Sequence, residues 1–312
     1  MMEKQFCVQV SLDAREPLIG TATKADIWCL LEYTERWNEY AIKDSMLPPV
    51  VLSWLKEQQH HYPGFRPQFI KQHDRPLQAI TCFFAITRQE RQVLYRFQFA
   101  TYEELCQLDL AALVNRHPRF APHLIQDSLF LICTHGKHDR CCAKFGFPIY
   151  TEIAKLAGSQ AWQISHIGGD KFAANILYLP QGIYYGRVTK ADCQPILTAH
   201  NAHQVYLEKY RGQCAYTAIV QAADYFLRKQ TSITTINAFL LTDIQTENST
   251  LCRVTFVARA TGEQHCLTIQ VDPTTVTSYS ACHGLKTSQT NYYRLHSHTV
   301  QSNLAIPSVS HP

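Results

Sequence analysis

Residues 128–188 read SLFLICTHGKHDRCCAKFGFPIYTEIAKLAGSQAWQISHIGGDKFAANILYLPQGIYYGRV. Their apolar runs, breakers and polar loops specify a sheet layered with helices. Ser128–Cys133 is short, apolar and β-prone, as a buried strand is. The polar loop THGKHDRCCAKFG follows, and a helix is predicted over Pro148–Leu156, with Pro at its start and Gly158 beyond its end. Ala161–His166 is a second strand. Asn175–Leu179 and Ile183–Val188 form a hairpin across Pro180-Gln181-Gly182, and Asp192–Asn201 is another helix.

The same order is expected upstream. Ile27–Tyr33 is a strand, ERWNEYAIKDSML a long loop, and Pro48-Pro49 opens a helix to about Gln59. Gln78–Thr87 and Gln92–Ala100 are strands joined by RQER, and Tyr102–Val114 has helical spacing of Leu105, Leu108, Leu110 and Leu113. The predicted fold class is α/β (α+β): two topologically related thioredoxin-like halves, residues 1–122 and 123–229, and a β-rich accessory region, 230–312. An amphipathic helix over Ala215–Lys229 leads into that region, where Cys252–Ala258 and His265–Val271 alternate around Thr261-Gly262. The tail from about Val300 is polar and loose.

Composition narrows the function. The 312 residues carry a net charge of only +4, without a Lys/Arg block, so nucleic acid is not the expected partner. No apolar run approaches the ~20 residues of a membrane span. The first residues, MMEKQFCVQVSLDARE, have no apolar signal core, so a cytoplasmic protein is expected. The 12 cysteines are too few for a disulfide scaffold of this length. Cys7, Cys29, Cys82, Cys106, Cys252 and Cys266 lie in apolar or alternating segments and are expected as small buried hydrophobes.

Cys133, Cys141 and Cys142 differ, because they bracket a polar loop that leaves a strand. His135, Lys137, His138 and Arg140 in that loop favour thiolate. In Ser165-His166-Ile167-Gly168-Gly169-Asp170, a polar His ends an apolar strand and Asp170 returns after a Gly-Gly turn. His166 and Asp170 can face a metal held also by Cys133 and Cys142; the plain alternative is a turn with a hydrogen-bonded His. Cys214 is expected as a packed thiol. Arg187 and Arg211 either serve a cluster or partner or have a structural surface role. Cys282 in CHG has no evident partner and is expected as a structural or stray thiol, and Tyr292-Tyr293 as sheet core.

The segments LICTHGKHDRCCAKFGFPIY, SHIGGDKFAANILYLPQGIYYGRV and YRGQCAYTAIVQAADYFLR, with a weaker match in PLIGTATKADIWCLLEYTERW, resemble the sucrase/ferredoxin-like family over residues 17–229. That resemblance implies a thioredoxin-like [2Fe–2S] ferredoxin domain. Nothing here reads as the paired carboxylates of a sucrose-cleaving enzyme. The family's Cys-His-Gly…Cys loop and His-x-Gly-Gly-His turn imply Cys133, Cys142 and His166 as cluster ligands. The fourth position departs from the pattern: Asp170 stands where the second His is found, with Cys141, His135 and Cys214 as alternates. The implied function is cluster-based electron transfer or redox sensing with a redox-protein partner, rather than stand-alone catalysis. The alternatives are a metal-free thiol oxidoreductase pairing Cys133 with Cys141 or Cys142, a zinc site on the same residues, and an interaction module with a vestigial site.

Overall fold

The computed structural model describes residues 6–73, 78–282 and 284–302. The predicted tail mostly lies outside them. In chain order the elements are α1 (Cys7–Asp13), β1 (Ile27–Glu32), α2 (Pro49–His61), β2 (Phe65–Lys71), β3 (Ile80–Arg88), β4 (Arg91–Phe99), α3 (Leu110–Val114), β5 (Leu124–Ile125), β6 (Leu129–Cys133), α4 (Arg140–Ala157), β7 (Ala161–Ile164), β8 (Ile176–Leu179), β9 (Ile183–Tyr185), α5 (Lys190–Asn201), β10 (Tyr210–Gln213), α6 (Ala218–Thr231), β11 (Phe239–Thr246), β12 (Leu251–Ala258), β13 (Gln264–Ala281) and β14 (Gly284–Gln301).

One ten-stranded sheet runs β10-β9-β8-β6-β7-β2-β1-β3-β4-β5, and β11 to β14 form a separate antiparallel sheet. The α+β, thioredoxin-like and β-rich arrangement is therefore present. Each half of the large sheet repeats one connectivity. β1 is parallel to β2 and antiparallel to β3; β6 is parallel to β7 and antiparallel to β8. The halves join where β2 meets β7, at Ile70↔Ile164 and Lys71↔Gln163. β6 is flanked on both edges and every residue in it is buried, which explains its unbroken apolar run.

Beyond α1, β5 and β10, which were not expected, three elements depart from expectation. α4 begins at Arg140, not Pro148: the Asp139 side chain caps it by accepting from the Cys141 amide, and Pro148 lies inside the helix. Cys141 and Cys142 thus sit on a first helical turn rather than in a loop. The helix expected over Tyr102–Val114 divides into a 3-10 turn, Tyr102–Gln107, and α3, because Asp109 caps a new start by accepting from the Ala112 amide. β2, the strand that completes the upstream repeat, interrupts its apolar residues with Arg66 and Pro67 and was not legible as a strand.

α6 lays Val220, Ala223 and Leu227 on Val254, Phe256, Leu267 and Ile269 of the small sheet. Of the cysteines expected in cores, Cys7, Cys29, Cys82 and Cys252 are there, while Cys106 and Cys266 are partly exposed.

His200 on α5 is buried, stacks 3.6 Å from Tyr178 and has Nε2 2.8 Å from the Tyr185 hydroxyl. Burial, with His203 adding to it, pulls its pKa down to about 3. An unfolded His titrates near 6.5, so below that pH the unfolded chain takes up a proton that the folded chain refuses. Stability is expected to fall by about 2 kcal/mol between neutrality and pH 5 from this group. Urea midpoints measured across that range decline less steeply in His200→Gln than in the parent chain.

Candidate metal centre

The register Cys133↔Ile164 brings the carboxyl ends of parallel β6 and β7 out side by side. Cys133 closes β6, and Ser165-His166 follows β7 directly. The Ser165 hydroxyl donates to Gln68 Oε1 and accepts from the Phe69 amide, which ties this end to β2. α4 then folds back over β6. A Cβ on Gly146 would collide with the Cys133 carbonyl oxygen, so only glycine permits this approach. The same approach carries Cys142, one helical turn earlier, onto the strand end.

The turn after His166 reverses through Gly168 and Gly169, whose φ values are +91° and +81°. It enters a 3-10 turn at Asp170. The Cys142 thiol is 3.3 Å from Asp170 Oδ1. The donor atoms of Cys133, Cys142 and His166 lie within 4.8 Å of one another, and so do those of His138, His166 and Asp170. The four residues singled out in the sequence therefore converge. His138 joins them: its ring stacks 3.8 Å from that of His166. His166 Nδ1 is buried and 2.9 Å from Asp170 Oδ1, yet has no aligned hydrogen-bond partner among the described residues. A buried ring nitrogen facing a carboxylate oxygen is a donor pair that a cation could bridge.

The alternates are placed elsewhere. His135 Nε2 is 2.6 Å from the Asn38 carbonyl, and its Nδ1 accepts from the His166 amide, so the ring is committed to positioning the loop. Cys214 is buried, and a Cβ on Gly182 would collide with its sulfur. Cys141 points away from Cys133 toward Cys7 and Cys282, with Sγ–Sγ distances of 3.3 Å to each. A Cys133–Cys141 redox pair is thus not assembled, whereas Cys133 and Cys142 are neighbours.

Electrostatics favour a cationic occupant held by anionic donors. The Cys142 thiol and the His166 ring draw the Cys133 pKa well down against the effect of burial. Cys142 is pushed up by the neighbouring Cys133 and by burial. Burial opposes ionisation of Asp170, but His166 and the Cys142 thiol hold it below the usual carboxylate range. Burial also opposes protonation of His166, but Asp170 and Cys133 push it up to about 10.

Arg211, on β10, is only 1 % exposed. Its guanidinium donates to neutral acceptors, the Thr21 and Gly168 carbonyls, Thr21 Oγ1 and Asn175 Oδ1, and it makes no ion pair among the described residues. A buried cation without an acid partner needs negative charge nearby. The Cys133 thiolate and Asp170 supply it across the Gly-Gly turn. The sequence left Arg211 divided between cluster and surface; its burial excludes the surface role. Arg187 instead ties Ser11 and the Glu16 carbonyl to the core.

His166 is the outlet of the site. Its side chain is 22 % exposed and lines a cleft of about 460 Å³ with Tyr40, Ile42, Lys43, Leu52 and His138. No helix among the described residues is long and apolar enough to cross a membrane.

A family model described as sucrase/ferredoxin-like matches residues 18–212. The chain is 33% identical, over 99 residues, to "Altered inheritance of mitochondria protein 32" of Meyerozyma guilliermondii. That match covers 28% of this chain and 35% of the relative, so it spans about a third of the relative's length. No solved structure matches.

The packing of α4 on β6 sets the Cys133–Cys142 distance. Gly146→Ala is expected to push the helix off the strand end, to cost about 1–3 kcal/mol in chemical denaturation, and to lower metal retention on gel filtration.

Proposed function

The chain belongs to the sucrase/ferredoxin-like family, and from that premise we propose that it holds a [2Fe–2S] cluster and works as an electron-transfer or redox-sensing protein. The observation that carries this reading is the meeting of two thiols, an imidazole and a carboxylate beside the buried, otherwise uncompensated Arg211. This donor set suits the group: Cys133, Cys142, His166 and Asp170 would hold it. When bound, the cluster supplies one-electron exchange at a potential set by its ligands and surroundings.

The chain's own residues do the rest. Cys133 and Cys142 are fixed by a buried strand end and a helical turn. Asp170 is anionic where relatives with the bis-histidine pattern carry a neutral ring, which adds one negative charge. Arg211 offsets part of it from a buried, low-dielectric position. His166 reaches the cleft and marks the short way between the site and a docked redox partner. Lys43 and Lys56 outnumber Glu39 at the cleft and give that partner's surface an acidic preference.

The tight spacing of the donors also fits a single tetrahedral ion, so zinc is the second reading. Protein purified without oxygen separates the two. Brown protein with iron and acid-labile sulfide in equal amounts, lost in Cys133→Ser, supports the cluster. Colourless protein with stoichiometric zinc, lost in the same variant, supports zinc. Colourless, metal-free protein in which Cys133 and Cys142 oxidise to a disulfide supports thiol chemistry.

The ligand charge makes a second prediction. Asp170→His is expected to raise the midpoint potential in a redox titration, because a neutral ring stabilises the reduced state better than a carboxylate does. A midpoint in the parent chain equal to or above that of the variant contradicts the assigned ligand.

A further inference from the structure

A second group of donors lies behind the first. Cys7 on α1, Cys141 on the first turn of α4 and Cys282 beyond the end of β13 bring three sulfurs together. Their Sγ–Sγ distances are 3.3 Å for Cys7–Cys141, 3.3 Å for Cys141–Cys282 and 3.6 Å for Cys282–Cys7. Asp139 Oδ1 is 3.7 Å from Cys7 Sγ and 3.3 Å from Cys282 Sγ. Cys7, Asp139 and Cys141 are fully buried and Cys282 is partly buried, among Phe6, Val8, Phe145 and Ala173.

We propose that Cys7, Cys141, Cys282 and Asp139 form a structural zinc site. Tetrahedral zinc, with Zn–S near 2.3 Å and Zn–O near 2.0 Å, holds sulfurs about 3.8 Å apart and a sulfur and oxygen about 3.5 Å apart. The sulfur–oxygen separations, 3.7 and 3.3 Å, lie either side of their value, and the sulfur–sulfur separations, 3.3, 3.3 and 3.6 Å, are somewhat shorter than theirs, so binding needs only a small outward shift of the thiols. The four donors come from three chain segments, with Cys7 and Cys282 separated by 275 positions. Three close sulfurs from such distant segments cannot all be joined by a disulfide, and all are free thiols here.

The carboxylate is held for the task. Its Oδ1 accepts from the Cys141 amide at 2.7 Å and its Oδ2 from the Cys282 amide at 2.5 Å, which fixes the oxygen that faces the sulfurs. Three thiolates and one oxygen fill the coordination of zinc and leave no open position, the arrangement of a structural rather than a catalytic ion. The site would pin α1 and the β13–β14 hairpin to the start of α4. It stands on geometry that does not involve Cys133, Cys142, His166 or Asp170.

The test is metal analysis of the full chain, purified without oxygen after growth with iron and zinc. Wild-type protein is expected to hold about one zinc per chain in this site. Cys7→Ser and Cys282→Ser each lose that zinc and keep the iron and sulfide; Cys133→Ser loses the iron and keeps the zinc. If the central site itself takes zinc, wild type holds about two, and Cys282→Ser still loses one of them. That result supports this site while overturning the cluster. Should a serine variant not fold, cobalt(II) added to the Cys133→Ser chain gives the intense visible absorption of tetrahedral thiolate coordination. Zinc content unchanged by both Cys7→Ser and Cys282→Ser overturns the proposal, and so does a disulfide among these cysteines in the zinc-loaded protein or a weak, octahedral cobalt spectrum.

Discussion

The parallel pairing of β6 with β7 is the constraint on which the site depends. Parallel strands deliver their carboxyl ends to one edge of the sheet, and the loops leaving those ends are bound to meet. The register Cys133↔Ile164 fixes where they meet to within a residue. A slip by one position would turn Cys133 to the opposite face and separate it from His166. β8 on one side and β2 beyond β7 hold that register, and the buried apolar side chains of β6 make any other pairing costly.

Charge is arranged around that meeting point with few free choices. Asp170 and the Cys133 sulfur place negative charge in a buried region. Arg211 reaches it from β10, through a Gly-Gly turn that leaves room for the guanidinium; a Cβ on Gly169 would strike it. His135 does quieter work, since its two ring nitrogens join the Asn38 carbonyl to the His166 backbone and so tie the upstream loop to the site.

Much of this could be read from the sequence, and what escaped has physical reasons. The buried strands were legible because apolar runs need no partner to be recognised. β2 escaped because Arg66 and Pro67 break its pattern, although its pairing with β1 tolerates both. The start of α4 was misplaced because Pro148 mimics a helix start, whereas the real signal was Asp139, a capping side chain among other polar residues. The convergence of Cys133, Cys142, His166 and Asp170 was foreshadowed by two motifs at strand ends. That of Cys7, Cys141 and Cys282 was not, because nothing local links residues so far apart, and the flanks of Cys7 match those of a core thiol.

The cysteines at 141 and 142 are adjacent on one helical turn, and successive residues on a helix point about 100° apart. One therefore looks toward the β6 end and the other toward α1 and the long hairpin. The two sulfurs share one rigid turn of backbone, so neither can shift far without the other. Whatever grips one side fixes the angular setting felt by the other, so the remote ends of the chain have a mechanical hold on the chemistry at its centre.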